Sequence, residues 1–157
     1  MKKTVSHTAR RKSGKYFLIV SNDGLARGLM AFAYMKKRLR EMKLTRLIRL
    51  AVAPLMASEG LKPDPWAVKK LAENRVPLNG FRVQPLGEKL LEKADRVITL
   101  SYENQNYLRN SYRTVAPLTR ILDVPSIRIG KQGDYEKAWI KIREGLEEEI
   151  LSWAGEV

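Results

Sequence analysis

The run Tyr16-Phe-Leu-Ile-Val-Ser-Asn-Asp-Gly-Leu-Ala-Arg-Gly28 joins an apolar segment to the start of a periodic one. Its first residues are aromatic, aliphatic and β-branched without polar alternation, which predicts a short strand buried on both faces. Asn22-Asp23-Gly24 is a turn signal. Beyond it Leu25, Leu29, Phe32, Met35, Leu39 and Met42 recur at steps of three and four, one face of a helix from about Leu25 to Lys43. A buried strand that turns directly into a helix aims the backbone N–H groups of residues 21–28 outward at the helix's positive pole, which suits an anion. Arg27 falls in the first turn, where a guanidinium can close over an oxyanion bidentately. The plainer alternative is an ordinary strand-to-helix turn with a surface arginine.

Further along, Leu47–Ala53 predicts a second strand and Pro54–Pro65 a loop. Asp64-Pro65 is a helix start, with Asp as cap and Pro at the first position, and that helix runs to about Asn74. Val76–Gly87 is irregular, and Glu88–Lys93 is a short helix. Asp95–Ser101 is the third strand, Glu103–Asn110 a helical turn or two, and Arg120–Val124 the fourth strand. Tyr135, Trp139, Ile142, Leu146, Ile150 and Trp153 line one face of a last helix over about Asp134–Trp153. Alternating strands and helices predict parallel crossover units and an open α/β sheet covered on both faces. Such sheets bind ligands beyond the carboxyl ends of their strands, which points again to Ser21–Gly28.

A length of 157 residues suits one domain. The expected organisation is a flexible basic tail over 1–14 and a single α/β domain over 15–157. Cys is absent and His7 is the only histidine. Thiolate catalysis, disulfides and Cys-ligated zinc are excluded, and neither a histidine metal site nor a Ser-His-Asp triad is expected. The pattern calls for no metal and no cofactor. No apolar run approaches a membrane span, and the charged N-terminus has no apolar segment behind it. A cytoplasmic chain without a membrane partner is the expectation.

The formal net charge is +13. Residues 1–15 carry Lys2, Lys3, Arg10, Arg11, Lys12 and Lys15 and no acid, while Lys36–Arg49 carries seven cations against Glu41 alone. A field of this sign attracts polyanions, so nucleic acid is a candidate partner through the tail and Lys36–Arg49. Solvation of an exposed surface, or the Lys, Arg and Glu richness of a thermophile, accounts for the same composition.

Ser21 and Arg27 are separated by five residues, and with the order of elements this resembles the low-molecular-weight protein tyrosine phosphatase family and its arsenate reductase relatives. That family's signature is a Cys, five residues, an Arg and a Ser or Thr, between the first strand and the first helix. Gly60-Leu-Lys-Pro-Asp-Pro-Trp-Ala67 is similar to its Gly-x-x-Pro-Asp-Pro-x-Ala run. Lys70–Gly80 is similar to its second helix and following turn, and Ala94-Asp-Arg-Val-Ile-Thr-Leu100 to its third strand. Arg82–Leu86 stands loosely for its Ser-Arg segment. The resemblance covers roughly residues 16 to 153. It implies a three-layer α/β/α fold on a four-stranded parallel sheet in the order 2-1-3-4.

The resemblance also implies what is missing. The family uses a thiolate nucleophile, a cradle of loop amides with the Arg, and an Asp-Pro general acid on a late loop. Here Ser21 holds the nucleophile position and Ser126-Ile127 the place of the acid. Asp123 and Asp134 are substitutes on offer, and neither precedes a Pro. Gly28 replaces the Ser or Thr that follows the Arg. A serine hydroxyl is barely ionised at neutral pH and needs an adjacent base. Asp23 adds a negative charge to the cradle, while Arg27 persists. The expectation is therefore a catalytically inactive homologue that binds a phosphate-like anion, a phosphorylated partner or a protein partner. The anion would be held at Ser21, Asn22, Asp23, Gly24, Leu25, Ala26, Arg27 and Gly28. A nucleic-acid-associated protein is the alternative, and an active phosphatase comes third. Trp66 and Tyr102 are aromatic candidates for the rim of the site, or simply half-buried side chains.

Overall fold

The computed structural model describes residues 15–22, 25–55, 62–112 and 119–154. The elements are β1 (Lys15–Ser21), α1 (Arg27–Glu41), β2 (Ile48–Pro54), α2 (Pro65–Glu73), α3 (Glu88–Lys93), β3 (Arg96–Thr99), α4 (Tyr102–Ser111), β4 (Thr119–Ile121) and α5 (Gln132–Ala154). The four strands form one parallel sheet in the order β2-β1-β3-β4. In the register, Phe17 faces Leu50 on one side and Arg96 on the other, and Val20 faces Ala53 and Thr99. The expected fold and strand order are therefore correct. The expected tail, residues 1–14, lies outside the described residues.

β1 is central because its sequence allows it to be covered on both faces: Phe17, Leu18, Ile19 and Val20 are all buried. Phe17 and Ile19 join a core with α1, α2 and α5, whereas Leu18 and Val20 join a second, smaller core with Leu91 and Leu108. Period-two geometry sends alternate side chains of one strand to the two layers. The periodic faces of α1 and α5 point into the larger core: Leu29, Phe32, Met35 and Leu39 meet Tyr135, Trp139, Ile142 and Leu146. Trp139 and Tyr34 pack edge to face at 5.7 Å.

Boundary differences have local causes. β4 ends at Ile121 rather than Val124, because Asp123 takes a left-handed backbone (φ 53) and breaks the extended run. β3 is shorter than Asp95–Ser101 because Ser101 leaves the sheet to cap α4, its side chain accepting from Asn104 N. α2 starts as the sequence predicts: Asp64 accepts from Trp66 N at 2.9 Å, with Pro65 at the first position. Residues 82–84 lie along the outer edge of β2, where Val52 N donates to Arg82 O and Gln84 N to Val52 O. The open edge of the sheet is thereby partly covered.

Candidate functional site

The junction of β1 and α1 stands at the carboxyl ends of the strands. Ser21 ends β1 and is buried, and its carbonyl accepts from Leu55 N at 2.9 Å. α1 opens at Ala26, a residue with no side-chain oxygen to cap the first turn, and that turn contains no acid. The cap residue itself therefore offers the leading N–H groups no side-chain acceptor. Arg27 lies in the first turn and is 8% exposed. Its Nη1 donates to the carbonyl oxygen of Val124 at 3.0 Å. That bond ties the start of α1 to the segment after β4 that contains Ser126.

Gly28 sits where the backbone passes close to the strand. A Cβ built there would come within 3.0 Å of Ser21 Cβ and 3.1 Å of Val52 Cγ1. The Ser or Thr of the family pattern therefore has little room in this chain. Leu25 is tied in as well, its carbonyl accepting from Asp64 N at 2.9 Å. Ser21, Asn22, Leu25, Ala26, Arg27 and Gly28 are thus brought into one junction. Asp23 and Gly24 lie outside the described residues.

Sequence reasoning missed Asn104. It is fully buried in the first turn of α4, and its Nδ2 donates to Asn22 Oδ1 at 2.8 Å. Its own Oδ1 is buried without a hydrogen-bond partner. An unmet buried acceptor costs about 1–3 kcal/mol, so this carboxamide is an unusual feature beside the loop. The available signal was a polar residue three places after the Ser101 cap, at a position that a helix on the sheet turns inward.

A second missed group holds the neighbouring wall. Tyr135 is buried on α5, and its hydroxyl donates to Asp64 Oδ2 at 2.5 Å while accepting from Gly130 N at 3.4 Å. Burial first, and the Asp64 carboxylate second, push the Tyr135 phenol up to about 12. Trp66 lies 6.5 Å from the Tyr135 ring, centroid to centroid, and is half-buried. Tyr102 opens α4 and is 60% exposed.

Neither substitute acid is set up for proton transfer. Asp134 accepts from Arg128 N, Nε and Nη2 at 3.0, 2.8 and 3.1 Å. Those donors hold its carboxyl well below the usual range, so it stays ionised. Asp123 is exposed in its left-handed turn, and Ser126 is exposed with only a hydroxyl to offer. Among the described residues no group of three or more His, Cys, Asp or Glu is placed to hold a metal. No described helix is long and apolar enough to cross a membrane.

A strand–loop–helix junction at the carboxyl edge of a 2-1-3-4 sheet defines an open, doubly wound α/β protein with its site at the strand ends. Residues 17–128 match the family model described as low molecular weight phosphotyrosine protein phosphatase, and the chain belongs to that family. Among solved structures, YfkJ from Bacillus subtilis is similar at 22% identity and TM-score 0.80, covering 92% of this chain and 97% of its own. A low molecular weight phosphotyrosine phosphatase from Vibrio cholerae is similar at 17% identity and TM-score 0.81, covering 90% and 97%. YwlE arginine phosphatase, as a Cys-to-Ser mutant with a phosphorylated active-site serine, is similar at 24% identity and TM-score 0.76, covering 88% and 95%. No curated protein sequence matches significantly.

Proposed function

We propose that this chain is a catalytically inactive member of its family that binds a phosphate-like anion, free or carried by a partner, at Ser21–Gly28. The observation that carries this reading is the junction itself. A buried arginine and an uncapped helix start persist, while Ser21 and Ser126 occupy the positions of nucleophile and acid. Binding then needs only the loop amides and Arg27, and turnover lacks both of its proton-handling groups. The arginine phosphatase mutant supports the reading from another side: in that protein a serine in the active site carries a phosphoryl group.

The test is a titration of inorganic phosphate at low ionic strength, read from backbone amide chemical shifts. Residues 21–28 are expected to shift together and saturably. Silence of those residues while the Lys36–Arg49 cluster shifts would overturn the proposal.

A further inference from the structure

A cluster of exposed cations lies at the opposite pole from the Ser21–Gly28 loop. Because the strands are parallel and α1 returns against them, the end of α1 and residues 42–47 sit where the strands begin, with Lys15 N donating to Leu47 O at 2.7 Å. Arg75 follows the far end of α2, the helix whose start is tied to Leu25 beside the loop. Residues 81–84 then run back toward the loop: Phe81 packs edge to face on Phe32 of α1 at 5.3 Å, and Arg82 and Gln84 bond β2 at Val52, the residue beside Gly28. The corner therefore gathers Arg40, Lys43, Arg46, Arg49 and Arg75, all of them exposed.

Charge pairing does not use these groups. Between residues 36 and 55 and between 74 and 84 the only acid is Glu41, and it is taken by Lys37 and Arg38. None of the five cations is ion-paired among the described residues; Arg49 stacks over the Tyr16 ring at 5.2 Å. Two acids of the nearby part of α5 are engaged elsewhere: Glu147 with Arg38 and Tyr34, Glu149 with Arg120.

An independent observation comes from the backbone. Lys43 and Arg75 both adopt left-handed conformations, φ 60 and φ 56. Each follows a helix in a Schellman closure, with Leu44 N donating to Leu39 O and Val76 N to Leu71 O. Glycine is the unstrained residue there. At both sites of this corner a cation stands in its place.

We propose that this corner is a nucleic-acid-binding face that recognises the phosphate backbone without reading bases. Among the described residues the corner, 36–55 and 74–82, has no large exposed apolar side chain and no exposed aromatic to stack on a base. A membrane surface would call for more apolar anchorage than that. Backbone recognition fits dispersed, unpaired cations of mostly guanidinium type.

The experiment uses the full chain, a fluorescently labelled short DNA duplex and anisotropy over a series of salt concentrations. Lys43→Gly and Arg75→Gly are combined, since both relieve strain while removing charge. The expected result is binding by the parent that weakens steeply with salt. The double variant is expected to be weaker, with a log–log salt slope shallower by about 2 and a melting temperature unchanged or higher. Absence of duplex binding at low salt overturns the proposal. An unchanged slope in the double variant overturns it too, since the charge then acts elsewhere. So does tighter binding to phosphatidylserine vesicles than to the duplex.

Discussion

Arg27 and Val124, 97 residues apart, are joined by a single buried hydrogen bond of 3.0 Å from the guanidinium to a backbone carbonyl. It makes the arginine a brace between α1 and the segment following β4, beside the anion-binding role proposed for it. The orientation of this side chain is thus held by the protein before any anion arrives, which lowers the ordering cost of binding.

Two readouts separate these roles. Arg27→Ala should abolish the phosphate response and also destabilise the fold by about 1.5–3 kcal/mol, since it removes a charge-assisted bond to a buried carbonyl. Arg27→Lys should fold better than Arg27→Ala yet bind phosphate weakly, because an ammonium cannot reproduce the fork. Denaturant titration and phosphate titration of both variants check this. Equal phosphate affinity in Arg27→Lys and the parent would mean that the guanidinium geometry is not used.

The catalytic positions predict silence toward an aryl phosphate. Loss of a nucleophile alone costs on the order of 10^4-fold or more in kcat. Ser21→Cys should not by itself give full activity, because Ser126 cannot protonate the leaving oxygen and Asp134 is held ionised by Arg128. Stopped assays with the parent, Ser21→Ala and Ser21→Cys check the point. Turnover by the parent that vanishes in Ser21→Ala would show that the serine is a working nucleophile.

Asp23 offers a sharper test of the cradle. A carboxylate in an anion-binding loop opposes the helix terminus, whose attraction for an exposed anion is about 0.3–1 kcal/mol. Asp23→Asn should therefore tighten phosphate binding by a few-fold at low ionic strength, and the gain should shrink as salt is raised. A loss of affinity would mean that Asp23 holds the loop in shape rather than repelling the ligand.

Alkaline pH should weaken the fold through two tyrosines. Burial raises the Tyr34 phenol to about 12, with Glu147 adding to it, and Tyr135 is raised to about 12 beside Asp64. A folded-state pKa above the unfolded value of 10 means that the native protein holds its proton more tightly. That stability is fully present below pH 10 and is lost as pH rises from about 10 to about 12. Tyr135→Phe should flatten part of this slope and lower stability at neutral pH, because Asp64 and Gly130 N lose a partner. Thermal melts of parent and variant across the alkaline range test both. An unchanged slope in Tyr135→Phe would show that the hydroxyl is not coupled to folding.

The fold was legible because its signals are local and periodic. Tyr16–Val20 announces a doubly covered strand, and the faces of α1 and α5 repeat every three or four residues. Asp64-Pro65 marks a helix start that the structure reproduces as a cap. The site was legible only in outline. The Ser21–Arg27 spacing locates the junction, but Asn104 reaches Asn22 from 82 residues along the chain, and Tyr135 reaches Asp64 on the neighbouring wall from 71. No local pattern distinguishes a buried asparagine that meets Asn22 from one facing solvent. The left-handed turns at Lys43 and Arg75 were hidden for a related reason. Glycine would have signalled them, and cations stand there instead.

The crowding at Gly28 gives the last prediction. A methyl group at this position meets Ser21 Cβ at 3.0 Å and Val52 Cγ1 at 3.1 Å, so both neighbours must yield by a few tenths of an ångström. Ser21 belongs to the central strand, and Val52 is completely buried in β2, so neither can move freely. Overpacking of this kind costs about 1–3 kcal/mol, against a gain of up to about 1 kcal/mol for replacing glycine within a helix. Gly28→Ala should therefore be destabilising by roughly 1 kcal/mol. Val52→Ala alone leaves a cavity and is destabilising as well. Combined, the two changes should partly cancel, because the space vacated at Val52 receives the new methyl group. A double-mutant cycle by urea denaturation should show the pair at least about 0.5 kcal/mol more stable than additivity requires. Strict additivity would mean that the strain at Gly28 is relieved through Ser21, and the loop's nucleophile position, not the sheet, would then be the part that gives way.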